Sequence, residues 1–217
     1  MTEKDPIAAA EAKARGVSPP PTPEGYNEPY QFEYPKLLVT LAAMAVTVVS
    51  TVVYGWLLVQ LQGPEVLPVV FEVGAAEEIT ILFNLTGTAV PLLFAFLTVA
   101  VVHELLHGVA YQRYGYEVRY GVYWRFGAVY AAVFHQFHSR EDNLRVGIAP
   151  LLIITVVCLP LLAVPQPIIA TTAFFVLVLN TGGAMGDAYA LWRLYRMPRG
   201  TVMYDLNIDN MYVFEPN

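Results

Sequence analysis

The chain has 217 residues, of which 56% are hydrophobic and only 14% charged, with a mean hydropathy of +0.49. That balance argues against an ordinary soluble domain and for an integral membrane protein. A net charge of −6 argues against nucleic acid as a partner, and the single cysteine, Cys158, excludes an intrachain disulfide.

Residues 1–35 read as a polar N-terminal tail, expected to be disordered and cytoplasmic. Its run Ser18-Pro19-Pro20-Pro21-Thr22-Pro23-Glu24-Gly25 cannot pack a core and is expected to be extended or disordered. The first apolar run begins too late for a secretory leader and has no small-residue cleavage site near it. Residues 37–61 carry no charge, ample for a span needing about 20 residues. Pro35 and Lys36 open that run, and Gln62-Gly63-Pro64 stops it. The next segment, 65–86, holds two β-rich pieces around Gly74-Ala75-Ala76 and predicts a hairpin or re-entrant element.

A second span is expected at 87–111. Residues 115–138 are then aromatic and β-branched with rough alternation, which predicts one or two short strands at the membrane surface. From Arg145 to Asp187 no charge intervenes, but Pro160, Pro165, Gln166 and Pro167 divide the stretch into spans at 146–163 and 168–191. After Arg193 the chain is polar, with β-prone pieces at 201–204 and 211–214. The expected fold is an all-α membrane protein of about four transmembrane helices with short β-hairpin elements at the membrane surfaces. Residues 36–192 form its membrane-embedded domain, and 193–217 a cytoplasmic C-terminal tail.

Orientation follows from the basic residues, which collect in cytoplasmic loops. Lys4, Lys13, Arg15 and Lys36 precede span one; Arg113, Arg119, Arg125, Arg140 and Arg145 lie between spans two and three; Arg193, Arg196 and Arg199 follow span four. All twelve fall on one side of a four-span arrangement. Both termini are therefore expected in the cytoplasm, with the protein integral to the cytoplasmic membrane.

Near the end of span two lies His103-Glu104-Leu105-Leu106-His107-Gly108. His-Glu-x-x-His on a helix puts two imidazoles on one face with a carboxylate beside them, the spacing that zinc chemistry needs. Two neutral imidazoles fill adjacent corners of a tetrahedron, a third protein ligand leaves one position open for water, and the Glu can serve that water as general base. Ionisable groups at membrane depth are costly, so a functional reading is the default there.

The topology nominates a third ligand. Spans two and four run in the same direction, and His103 and Asp187 lie about 15 and about 9 Å from their cytoplasmic ends at 1.5 Å per residue. Apart from Glu104, Asp187 is the only carboxylate inside a span. Gly182-Gly183-Ala184-Met185-Gly186 removes bulk before it, and Asn180 lies seven residues earlier on the same helix face. The competing candidates are His135, His138, Glu117, Glu141 and Asp142, all in the cytoplasmic loop. His135 and His138, three apart, would point to opposite faces of a strand and read as ordinary surface residues.

These residues resemble a known family. The His103–Gly108 motif, Tyr114-Gly115-Tyr116-Glu117-Val118 with its β-rich continuation, Ile148-Ala149-Pro150, Asn180 through Gly186-Asp187, and Arg196-Met197-Pro198-Arg199 running to Asp205 are similar to the zincin-peptidase family of integral membrane proteins. That family is similar in turn to site-2 intramembrane metalloproteases, in which a later span supplies an Asp to the zinc motif. The chain departs from them in having Gly186-Asp187-Ala188 where Leu-Asp-Gly is usual. The resemblance implies Zn²⁺ held by His103, His107 and Asp187, with Glu104 as base and Asn180 as a donor to the substrate. It implies a zinc-dependent peptidase that cleaves membrane-anchored proteins at or within the lipid bilayer. The alternative is a non-catalytic metal-binding scaffold or adaptor of the same fold.

Overall fold

The computed structural model describes residues 19–66, 69–73, 79–83, 85–124 and 128–217, with backbone only for 69–86 within that set. Residues 1–18, 67–68, 74–78, 84 and 125–127 lie outside the described residues.

Among the described residues, five α-helices carry the fold. Helix α1 (Lys36–Gln62) begins after Pro35 and ends at Gly63, whose φ of 89° is one that side-chain-bearing residues avoid. Helix α2 (Leu85–Arg113) carries the His-Glu motif. Helix α3 (Arg140–Cys158) is N-capped by Ser139, whose hydroxyl accepts the Asp142 N–H. Helices α4 (Pro167–Gly183) and α5 (Met185–Arg196) follow. Three helices, Lys36–Gln62, Gly87–Arg113 and Arg140–Ala163, are long and apolar enough to cross a membrane. The pair α4 and α5 makes a fourth if counted as one span bent by 41°.

The bend corrects the expectation of one continuous helix over 168–191. The chain turns at Ala184, where ψ is 3° instead of a helical value, just after Gly182 and Gly183. Gly182 is required for packing, because a Cβ there would run into Thr47 of α1. Gly186, its expected partner in a small-residue contact, has open space around it. The break puts Asp187 in the first turn of a new helix.

Helix α4 is the centre of the bundle, with Ala170, Ala173, Phe174, Leu177 and Val178 buried against Leu58 of α1 and Leu162. Both α1 and α2 lie along it. Helix α1 leaves Leu41, Met44, Val48, Val52 and Trp56 more than half exposed, an apolar face of the kind that lipid covers.

The β content is larger than the sequence suggests. Strands β2 (Val69–Val73) and β3 (Ile79–Phe83) pair as the expected first hairpin. Strands β4 (Arg119–Tyr123) and β5 (Ala128–Ala132) form a second. A four-stranded antiparallel sheet, in the order β1-β8-β7-β6, joins β1 (Tyr30–Gln31), β6 (Phe137–Ser139), β7 (Val202–Asn207) and β8 (Asn210–Phe214). The tail expected to be disordered through residue 35 is therefore ordered over 26–35. Tyr30 pairs with Val213, Asn27 donates to the Glu215 carbonyl, and Phe32 is buried against Leu194, Met203 and Val213.

Arg140 locks this sheet end to the bundle. Its guanidinium donates to the Leu194 and Tyr195 carbonyls at 2.6 and 3.0 Å, satisfying the exposed C-terminus of α5 with a buried cation. The start of α3 and the end of α5 are thereby held together, about two turns of α5 beyond Asp187.

Candidate metal centre

The His-Glu-x-x-His spacing does on α2 what helix geometry requires, placing the His103 and His107 rings on one face with centroids 4.9 Å apart. Asp187 comes to them from α5. Its Oδ2 lies 3.0 Å from His103 Nε2 and 3.4 Å from His107 Nε2. The two imidazoles are 11% exposed and the carboxylate 32%.

Each imidazole is oriented from behind. His107 Nδ1 lies 3.1 Å from the Val146 carbonyl, which can only accept, so Nδ1 carries the proton and Nε2 is bare. That carbonyl is available because of Pro150. Proline has no N–H, so the oxygen four residues earlier in α3 lacks its helical donor. His103 Nδ1 donates to Asn180 Oδ1 at 3.0 Å, which bares Nε2 in the same way. Two imidazole nitrogens and a carboxylate oxygen thus converge, with His103 Nε2 and Asp187 Oδ2 at hydrogen-bond distance. The three atoms are a donor set that a zinc ion would fit. Zinc bonded at about 2.0–2.2 Å in a tetrahedron would hold its ligand atoms about 3.3 Å apart, and the observed 3.0 and 3.4 Å bracket that edge. Among the described residues this is the one group of three or more metal-ligating side chains close enough to share an ion.

Glu104 sits beside the pair. One carboxylate oxygen, Oε2, accepts the Ala131 N–H of β5 at 3.1 Å. That bond also tells how β5 is turned. An N–H spent on Glu104 points away from β4, so the unpaired edge of β5 is the edge that faces the site. The hairpin can come this near because residue 108 is glycine: a Cβ there would collide with the Tyr120 side chain of β4.

Asn180 stands differently from its expected place. It is fully buried behind His103, with Oδ1 engaged there, so it orients a ligand and does not face a substrate. Its Nδ2 has no partner among the described residues. Among the described residues, none of the competing ligand candidates joins this group. Glu141 pairs with Arg140 at 2.9 Å, Asp142 accepts from Ser139 and Tyr116, and the Glu117 backbone is tied to Gln136. His135 sits in a turn with φ of 61°, its N–H on the Asp205 carbonyl. His138, read from the sequence as a surface residue, is 1% exposed.

Sequence reasoning missed the Val146 carbonyl, the Ala131 N–H and the polar group of Tyr111, Asn143, His138 and Asp205. Pro150 was a usable signal for the first, since a proline inside a helix always frees the carbonyl four residues back. Tyr111, four after His107 and eight after His103, lies on the ligand face of α2 and pointed to the last. Nothing in the sequence marks Ala131.

No curated protein and no solved structure matches the chain. Residues 96–202 match the model of a family described as "Putative zincin peptidase". The matched stretch includes His103, Glu104, His107, Val146, Pro150, Asn180 and Asp187, so the chain is similar to a zinc-peptidase family across the whole metal centre.

Proposed function

We propose that the chain is a zinc-dependent peptidase acting at or within the bilayer on membrane-anchored proteins. The observation that carries the reading is the convergence of His103 Nε2, His107 Nε2 and Asp187 Oδ2, with Glu104 one residue from the first ligand. When bound there, zinc supplies Lewis acidity toward a peptide carbonyl and lowers the pKa of water. Glu104 then takes a proton from the attacking water and delivers it to the leaving amine. Its bond to Ala131 keeps the carboxylate on the hairpin side of α2.

Two features favour a membrane-borne peptide. The free edge of β5 offers backbone groups to an extended segment beside Glu104, the usual way a strand is added to a sheet. On the opposite flank, a groove of about 620 Å³ runs between α1 and α2 over α4, lined by Thr47, Val99, Ala100, Leu179, Gly182 and Gly183. Ala100 and Gly183 stand about one turn before His103 and Asp187, so the groove ends about one turn short of the candidate metal centre. We place both termini in the cytoplasm on the partition of basic residues.

The test is proteolysis of fluorescent membrane-anchored peptides by the purified protein in liposomes, with and without a zinc chelator. Chelator-sensitive cleavage that Glu104→Gln abolishes supports the reading. Stoichiometric zinc without cleavage of any peptide would favour a metal-binding scaffold instead.

A further inference from the structure

Buried polar atoms almost always have a hydrogen-bond partner. His138 Nε2 has none among the described residues, although its side chain is 1% exposed. It lines a cavity of about 190 Å³ whose wall also includes Asp187, Asp205, Tyr111 and Tyr34. The space is far more than one water needs, about 30 Å³ in the liquid.

The tautomer of His138 is set by its neighbours. Asn143 Nδ2 donates to the Ser139 carbonyl at 2.7 Å, and Tyr111 donates to Asn143 Oδ1 at 2.6 Å, so the Asn143 amide has one orientation. Its nitrogen faces His138 Nδ1 at 2.6 Å and donates to it. With Nδ1 accepting, the ring proton is on Nε2. Asp205 Oδ2 stands 3.5 Å from that nitrogen, within ion-pair reach but not placed to accept the N–H. The cavity therefore holds, side by side, an N–H donor and a carboxylate acceptor. The C=O and N–H of one extended residue, which point to the same side, are their complement, the carbonyl for the first and the N–H for the second. Tyr34 adds a neutral hydroxyl, since burial and the facing Asp187 and Asp205 carboxylates push its phenol up to about 12.

We propose that His138 and Asp205 form a subsite that binds the backbone of the peptide substrate next to the metal centre, with His138 Nε2–H on a substrate carbonyl. This rests on the peptidase reading and supplies the substrate-facing donor that Asn180, turned toward His103, does not.

Two hydroxamates separate the outcomes when titrated into the zinc-loaded full-length protein in detergent. Acetohydroxamate engages the metal alone, whereas acetyl-Leu-Ala-hydroxamate extends beyond it. His138→Phe should raise the Kd of the dipeptide probe about 10–100-fold and leave that of acetohydroxamate unchanged. His138→Gln, which keeps an N–H donor, should recover part of the loss. Asp205→Ala, at a side chain 21% exposed, should weaken the dipeptide probe alone and serves if the Phe variant does not fold. Unchanged dipeptide affinity in these variants, or a parallel loss of both probes, would overturn the proposal. If the wild type binds zinc but neither hydroxamate, the peptidase reading falls as well, and the two failures are told apart.

Discussion

At the scale of single residues, the proposed metal centre would depend on groups that never touch the metal. Pro150 is the clearest case: a helix gives up one backbone hydrogen bond, and the freed Val146 carbonyl fixes the ring of His107. Pro150→Ala returns an N–H to the helix, which competes with His107 for that carbonyl. The variant should fold at least as stably and bind zinc about 10-fold more weakly, measured by competition with a chromophoric chelator. Equal zinc affinity would show that His107 needs no such anchor. Asn180→Leu gives the parallel test on His103. If Asn180 orients the ligand, zinc affinity falls about 10–100-fold; if it served only the substrate, affinity would hold and turnover alone would drop. His103, Glu104, His107 and Asp187 were all legible in the sequence, because helix periodicity and matched depth suffice to bring them together. Asn180 was legible as a position, but not that its Oδ1 turns toward His103. Depth along a helix does not reveal which way a side chain points when the helix bends four residues later.

At the scale of elements, the β4–β5 hairpin is docked on α2 through the Gly108–Tyr120 contact and the Glu104–Ala131 bond. Gly108→Ala should push the hairpin outward by overpacking, at a cost of about 1–3 kcal/mol. Zinc content should stay unchanged while cleavage falls, since the hairpin holds Glu104 and not the ligands. Adding Tyr120→Ala should restore much of the loss. Recovery of neither melting temperature nor cleavage in the double variant would contradict this packing. The helices were legible because long uncharged runs allow little else. Of the four-stranded sheet, the strands at 202–207 and 210–214 were legible as β-prone pieces, but those at 30–31 and 137–139 were not, because two-residue or three-residue strands leave no periodicity to read. The start of α3 at Arg140, ahead of the expected 146, carried a sequence mark in Ser139-x-x-Asp142, an N-cap followed by an acid three residues on.

For the whole molecule, the arrangement is a central helix, α4, flanked by apolar helices, with a small sheet closing the end at which α5 stops. Reporter fusions should read outside at Pro165 and inside at Arg140 and the C-terminus, as the twelve basic residues require. An inside reading at Pro165 would contradict the four-span arrangement. The claim on which everything else rests is that Asp187, from the bent fourth span, joins His103 and His107 around one zinc ion. The most direct measurement is zinc per chain by elemental analysis after dialysis against a graded chelator, comparing wild type with Asp187→Asn and Glu104→Gln. The account predicts about one zinc per chain in the wild type and in Glu104→Gln, and a loss of affinity of about 100-fold or more in Asp187→Asn. Wild-type zinc affinity in Asp187→Asn would contradict it.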